Sequence, residues 1–285
     1  MKTFIYYLLL TAFCVPTLSA QNNVMVDVMT FNVRYDNPDD GENHWPHRKD
    51  FVANMIKYHN PDLIGTQEVL HNQLLDMHKS LPEYEYIGIG REDGITKGEY
   101  SAIFYKKCKF DVIGSGTFWL GEDITAVGKK GWDAVCERIA TWAVFKDKDS
   151  GKEFFMINTH FDHVGKVARR ESALLILAKT NELSNGRPVI VTGDFNASPT
   201  DEPIMVLTDS TDKRQLIDSR TTADFVYGPE GTFHAFGRVP FEKRERIDYI
   251  FVRGGAKALS NVVITDTHNQ LFSSDHHPII STITF

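Results

Sequence analysis

Val189-Ile190-Val191-Thr192-Gly193-Asp194-Phe195-Asn196 decides the fold. A β-branched apolar run that stops abruptly in Gly-Asp-x-Asn reads as a buried strand that delivers an acid and an amide to the rim of a sheet. Carboxylate and carboxamide oxygens are hard ligands suited to Mg²⁺, and an amide can also donate to a phosphoryl oxygen. Asp194 and Asn196 therefore suit metal-assisted hydrolysis of a phosphoester. A plain turn explains the pair equally well in isolation, because Asp and Asn both favour turns. Further polar strand ends along the chain tip the balance towards chemistry.

Upstream, Lys166–Ser184 is the clearest helix, with Val167, Leu174, Leu177 and Ala178 on one face. It follows a strand, Phe154 to His160, so the order is β-α-β. His160, with Asp162 and His163 just beyond it, makes a denser ionisable group than a hairpin requires. Arg138 opens the strand to Phe145 and could fork onto a phosphate, although an ordinary surface arginine fits the spacing as well. Further back, Lys109–Gly114, Ser101–Tyr105 and Tyr84–Ile89 read as strands, with Gly90–Gly98 a surface loop. The strand Asp62–Val69 holds Gln67-Glu68. A Glu at the end of an apolar strand is costly to bury without a partner, and a divalent cation would be that partner. A helix opens at Trp45-Pro46-His47, carries Phe51, Met55 and Tyr58 at helical spacing, and stops at Asn60-Pro61. The first strand, Val24–Val33, places Asn32 at its polar end.

Downstream, the loop Gly228–Arg246 interleaves Phe233, His234, Phe236 and Phe241 with basic residues. Such a loop on an acidic protein could bind a phosphate and stack a ring or base. The competing reading packs these aromatics onto the body; it leads for Phe233 and is level for Phe236 and Phe241. Asp248 then begins an apolar strand, and Ser274-Asp275-His276 precedes the last one, Ile279–Phe285.

The chain has 285 residues, 42% hydrophobic and 24% charged, ordinary for a globular protein, and no internal repeat or linker divides it. Residues 1–20 read as a cleaved signal peptide: one early Lys, an apolar Phe4–Val15 segment too short to span a bilayer, Pro16, then Ser19 and Ala20. Residues 21–285 then form one exported domain, periplasmic or extracellular, with no transmembrane segment and an expected monomeric state. With 31 Lys and Arg against 38 Asp and Glu, the net charge of -7 excludes a generic polyanion binder. Cys108 and Cys136 are expected as unpaired core residues, and an exported compartment would also permit a bridge.

Thr30-Phe31-Asn32, Gln67-Glu68, Asn158-Thr159-His160, Gly193-Asp194-Phe195-Asn196, Ile247-Asp248-Tyr249 and Ser274-Asp275-His276 resemble, in order, the active-site blocks of the endonuclease/exonuclease/phosphatase superfamily, whose fold is DNase-I-like. Gly131-Trp132-Asp133-Ala134, Arg138-Ile139-Ala140-Thr141-Trp142 and Gly231-Thr232-Phe233-His234 further resemble an exported bacterial branch related to carbon-catabolite-repressor-type deadenylases. The resemblance implies a four-layer α/β sandwich, two mixed β-sheets packed face to face with helices outside. It implies Glu68 as the main Mg²⁺ ligand (Mn²⁺ being an alternative), with Asn32 and Asp275 beside it. Asp194 would position or deprotonate the attacking water, Asn196 would hold a phosphoryl oxygen, and His160 would hydrogen-bond the phosphate. His276, oriented by Asp248, would be general acid or base. Arg138, His163, His234 and Phe236 would bind the substrate. Arg34 stands where the abasic-site endonucleases carry an acid, which argues against that substrate. The leading expectation is a divalent-metal phosphodiesterase acting on nucleic acid or a smaller diester. The alternatives are a phosphomonoesterase or phospholipase-C-like hydrolase of sphingomyelin or inositol phosphates, and an inactive binding module, which the full set of competent residues disfavours.

Overall fold

The computed structural model describes residues 23–285. The signal peptide read at residues 1–20 lies outside the described residues. The chain runs β1 (Met25–Asn32), α1 (Trp45–His59), β2 (Leu63–Gln67), α2 (His71–Ser80), β3 (Tyr84–Ile87) and β4 (Ile103–Lys106). It continues through β5 (Phe110–Trp119), β6 (Ile139–Asp147), β7 (Glu153–His160), α3 (Lys166–Ser184), β8 (Val189–Asp194), α4 (Glu202–Thr208) and β9 (Ile217–Asp218). It ends with α5 (Ser219–Thr222), β10 (Phe225–Tyr227), β11 (Asp248–Arg253), β12 (Lys257–Ala258), β13 (Ser260–Val263), β14 (Thr267–His268), β15 (Leu271–Phe272) and β16 (Ile279–Thr284).

Two large mixed sheets result. One has the order β10-β13-β16-β1-β2-β4-β3 with β12 also on β16, and the other the order β5-β6-β7-β8-β11-β9. Side-chain alternation along β8 explains the layering. Val189 and Val191 join the cluster of Ala173, Ile176 and Leu177 from α3, while Ile190 joins Val26, Val28 and Leu63 of the other sheet. On the far side, Met29, Phe31 and Ile64 pack against Val52 and Ile56 of α1 and Leu74 and Met77 of α2. Helix, sheet, sheet and helix make four layers, the DNase-I-like sandwich.

The register then aligns the strand ends. β8 pairs in parallel with β7, placing His160 beside Asp194, and antiparallel with β11, placing Asp248 on its other side. In the facing sheet, β1 pairs in parallel with β2 and sets Asn32 against Gln67, one residue short of Glu68. The sheets meet behind this edge through a polar contact. Asn158 Oδ1 accepts from Gln67 Nε2 at 2.7 Å and from Thr192 Oγ1 at 2.9 Å, and its Nδ2 donates to Thr66 O and Ala102 O. Every hydrogen-bonding capacity of that buried amide is used, as burial demands. Gly65 makes the approach feasible, since a Cβ there would collide with Thr192 Oγ1 and Asn158 Oδ1.

Some local expectations need correction. The strand expected at Lys109–Gly114 runs on to Trp119, because a bulge between Val112 and Gly114 resets the pairing where the alternation breaks. On α3 the buried stripe is Ala168, Ser172, Ala173, Ile176, Leu177, Thr180 and Ser184, while Val167 is exposed. Small and polar side chains hid that stripe. Tyr58 on α1 is also exposed, the buried face being Val52, Ala53, Met55 and Ile56. Cys108 and Cys136 are unpaired as expected, but Cys108 is exposed and Cys136 half-buried, so neither is a core residue.

Gly65→Ala should lower unfolding stability by about 3 kcal/mol, the upper end of overpacking costs, with the loss read from the urea midpoint. A midpoint matching the parent would show that the sheets do not rely on this close approach.

Candidate active site

Asn32, at the end of β1, enters the site through its amide nitrogen. Nδ2 donates to Glu68 Oε1 at 3.0 Å and to Asp194 Oδ2 at 2.9 Å, while Oδ1 accepts from the Arg34 amide at 3.0 Å. The side chain thus bridges two carboxylates from opposite sheets. Glu68 itself has φ +60°, a left-handed backbone that turns it out of β2 into the cleft. Burial works against its ionisation, yet the Asn32 hydrogen bond and the charges of His276 and Arg34 hold it below the usual Glu range.

Asp275 sits opposite on the turn before β16, fixed from behind. The carbonyls of Val33, Arg34, Asn43 and Ser273 all accept from Arg48, a guanidinium 1% exposed, and Ser274 Oγ donates to Asn32 O at 2.7 Å. Burial and the charge of Glu68 push Asp275 upward, partly offset by His276 and Arg34. Arg34 lies 4.0 Å from Glu68 and 3.9 Å from Asp275, beyond hydrogen-bond range, because Asp40 holds its fork. Two carboxylates facing a cleft with no bonded cation are a donor set that fits a hard divalent ion.

His276 is the centre of the charged cluster. Its Nδ1 lies 2.9 Å from Asp248 Oδ2 and its Nε2 3.8 Å from Asp194 Oδ2. Burial disfavours the imidazolium, but Asp248, Asp194 and Asp275 outweigh it and raise the ring well above the ordinary His value. Asp194 is pushed up to about 7, by burial first and then by Asp248, against His276, the Asn196 amide and Asn32. The proximity of Asp194, Asp248 and His276 could also suit a metal, but a ring already bonded to one carboxylate and facing another satisfies those charges by itself.

His160 differs from His276. Burial, reinforced by Arg138 and Arg91, keeps it well below the ordinary His value and therefore neutral. Asn196, with φ +46°, donates its amide hydrogens to His160 Nε2 at 3.1 Å and Phe161 O at 3.0 Å. Nε2 is thus the acceptor and Nδ1 carries the hydrogen, which has no partner. Asn196 accordingly orients His160. Asp162 is structural, accepting from the amides of Val135, Cys136, Val164 and Gly165.

Arg138 is 5% exposed, bonded through Nη2 to His163 Nδ1 at 3.1 Å, with Nε and Nη1 unpartnered. Both Arg138 and His163 line a cleft of about 620 Å³ together with Glu68, His160, Asp194, Asn196, Asp275 and His276. His234 and Phe236 do not line it. His234 is fully buried, with its ring 4.0 Å from that of His277 and its Nδ1 accepting from Gly237, and burial pushes it down to about 3. Phe236 covers Arg48, whose guanidinium carbon is 5.4 Å from the ring centre. Phe233, expected to pack, does face the cleft, with its ring 5.1 Å from His276. Arg91 and Glu99 also line the cleft and carried no sequence signal, being charged residues of a glycine-containing loop.

Residues 29–276 match the family model described as Endonuclease/Exonuclease/phosphatase family. Among solved structures, the endonuclease/exonuclease/phosphatase of Bacteroides vulgatus is 49% identical with a TM-score of 0.88, covering 91% of this chain and 98% of that one. A mannosyl-6-phosphatase of Bacteroides thetaiotaomicron is 41% identical with a TM-score of 0.86, covering 91% of this chain and all of that one. Nocturnin of Drosophila melanogaster is 29% identical over 171 residues, 56% of this chain and 25% of its own length. The curated relatives are longer than the match, which spans between 25% and 61% of them.

The ion pair at His276 should make stability pH-dependent. A His raised in the folded state contributes its full stabilisation below its unfolded value of about 6.5, and that contribution fades as pH rises through the folded value. Asp248→Asn should therefore cost about 3 kcal/mol at pH 6 and progressively less in alkali, read from denaturant midpoints. A cost independent of pH would show that the ring is not charged in the folded protein.

Proposed function

We propose, since this chain belongs to the endonuclease/exonuclease/phosphatase family, that it is a hydrolase of small phosphomonoesters working with Mg²⁺. The observation that carries this reading is the buried guanidinium of Arg138, which has no hydrogen-bond partner at Nη1 and lines a cleft of about 620 Å³. That is the size of a small-ligand site. Its lining holds Arg34, Arg91 and Arg138 but also Glu68, Glu99, Asp194, Glu245 and Asp275, so the cleft itself lacks the basic excess of a groove that holds a nucleic acid strand. The resemblance to a mannosyl-6-phosphatase supports the same choice. The monoester reading thus replaces the diester one that leads on sequence.

Glu68 and Asp275 would hold the cation, whose charge, when bound, offsets that of the phosphoryl oxygens. Arg138 donates from Nη1 to a phosphoryl oxygen, a charge-assisted contact. His160, neutral and oriented by Asn196, donates from Nδ1 to a phosphoryl oxygen. Asp194, poised near 7, takes the proton of the attacking water as its oxygen bonds to phosphorus. His276, held as imidazolium by Asp248, protonates the alcohol oxygen as the P–O bond breaks, releasing alcohol and phosphate. On the same footing, residues 1–20 direct export, so the enzyme acts in the periplasm or outside the cell.

With Mg²⁺, kcat/KM for p-nitrophenyl phosphate should exceed that for bis-p-nitrophenyl phosphate by about tenfold or more, a transition-state difference of at least ~1.4 kcal/mol. The reverse order refutes the monoester assignment. Glu68→Gln should weaken Mg²⁺ binding in calorimetry and lower kcat/KM by about a hundredfold or more. Unchanged Mg²⁺ affinity would remove Glu68 from the metal site.

A further inference from the structure

The loop between β3 and β4 is built as a rigid wall. Asp93 Oδ1 accepts from the amides of Ile95, Thr96 and Lys97 at 2.8 to 2.9 Å, and the Arg91 amide donates to Glu99 O at 3.1 Å. Trp119 Nε1 donates to Arg91 O at 2.8 Å, which ties the loop to the end of β5, and Tyr100 OH meets His71 Nδ1 of α2 at 2.9 Å. Two side chains project from this wall into the cleft. Arg91 Nη1 donates to Glu99 Oε2 at 2.7 Å, with the pair 12% and 17% exposed.

Neither side chain is fully used. Arg91 Nε is buried with no partner, and so is His160 Nδ1, which lies 3.8 Å from Glu99 Oε2, too far for a hydrogen bond. The nearby Arg138 differs in one respect. Its nearest carboxylate, Asp162, is 3.7 Å away, beyond hydrogen-bond range, and is held by backbone amides, so Arg138 lacks the direct bonded carboxylate that Arg91 has. Arg91 is directly neutralised by Glu99. A neutral pair that still offers a free N–H on one edge and a carboxylate on the other suits a molecule carrying several groups that accept and donate, as the hydroxyls of a polyol do. A second phosphate would be repelled by Glu99, and an apolar leaving group would strand the buried Arg91 N–H.

We infer that Arg91 and Glu99 form a hydroxyl-reading wall that selects phosphoesters of polyhydroxylated alcohols, with Arg91 donating to one substrate hydroxyl and Glu99 accepting from another. The inference rests on the phosphomonoester reading, since it assigns the alcohol half of that substrate. It makes the two residues specificity determinants, distinct from the phosphate contacts of Arg138 and His160.

The test compares mannose 6-phosphate, rich in hydroxyls, with p-nitrophenyl phosphate, which has none on its ring. In Glu99→Gln and Arg91→Met the ratio of kcat/KM for the sugar phosphate to that for the aryl phosphate should fall roughly ten- to hundredfold, as loss of a hydrogen bond to a charged group predicts. Arg138→Met should lower both values and leave their ratio near that of the parent. Calorimetry without a divalent ion, which stops turnover, supplies a second readout: the parent should bind mannose 6-phosphate more tightly than inorganic phosphate, and Glu99→Gln should lose that preference. A parent without the preference, or variants that keep the parent's ratio, would overturn the hydroxyl wall. Glu99→Asp, which keeps the charge, should retain part of the ratio. A parent that cleaves only diesters defeats the monoester reading, whereas the binding preference judges Arg91 and Glu99 independently.

Discussion

A charged imidazole buried between two carboxylates is the interaction on which the catalytic edge of this protein depends. Asp194 and Asp248 stand side by side because β8 and β11 are paired in register, and two adjacent buried carboxylates without a cation would repel strongly. His276 supplies the positive charge from a third element, the turn before β16. Its ionisation in turn depresses Glu68 and opposes the upward push on Asp194 and Asp275. The protonation states across the cleft are therefore linked, and moving one strand end would disturb all of them.

The geometry behind that cluster comes from two polar side chains that touch no substrate. Asn158 joins the sheets through Gln67 and Thr192, at a spacing that only the bare Gly65 allows. Arg48 gathers four carbonyls and so fixes the segments after β1 and before Asp275 relative to each other. Burial lowers Arg48 only to about 10, leaving it charged near neutral pH, so its bonds are charge-assisted. Each side chain spends all or most of its hydrogen-bonding capacity on backbone or amide partners. The energy of these contacts goes into position, which a site that must hold donors to within a fraction of an ångström requires.

Two of the three histidines lining the cleft show how environment divides one residue type into two roles. His276 sees carboxylates and is charged; His160 sees Arg138 and Arg91 and is neutral. The cleft is thus organised as an acidic half around Glu68, Asp194 and Asp275 and a basic half around Arg138 and Arg91, with Asn32 and Asn196 orienting side chains at the boundary. An ester placed across it would meet a cation-binding side and an anion-binding side together.

Much of this was legible in the chain itself. The continuous apolar run at Val189–Val191, the helix at Lys166–Ser184 and the polar ends at Asn32, Glu68, His160, Asp194 and Asp275 follow from local patterning, because burial of a strand on both faces or of a helix on one imposes its pattern residue by residue. What local patterning could not decide was direction and company. His234 and Phe236 sit in the same loop as Phe233, yet only Phe233 faces the cleft, since the positive φ of Ala235 and Phe236 turns the chain back over Arg48. Asn32 and Asn196 were recognisable as site amides, but which atom each presents depends on acceptors up to 162 residues distant. Arg91 and Glu99 became visible only when the loop between β3 and β4 folded beside β7. Sequence fixes which residues end strands, because that is local; it takes the packing of one sheet on the other to decide which of those ends share a cleft, because the partners are brought together only by the core between them.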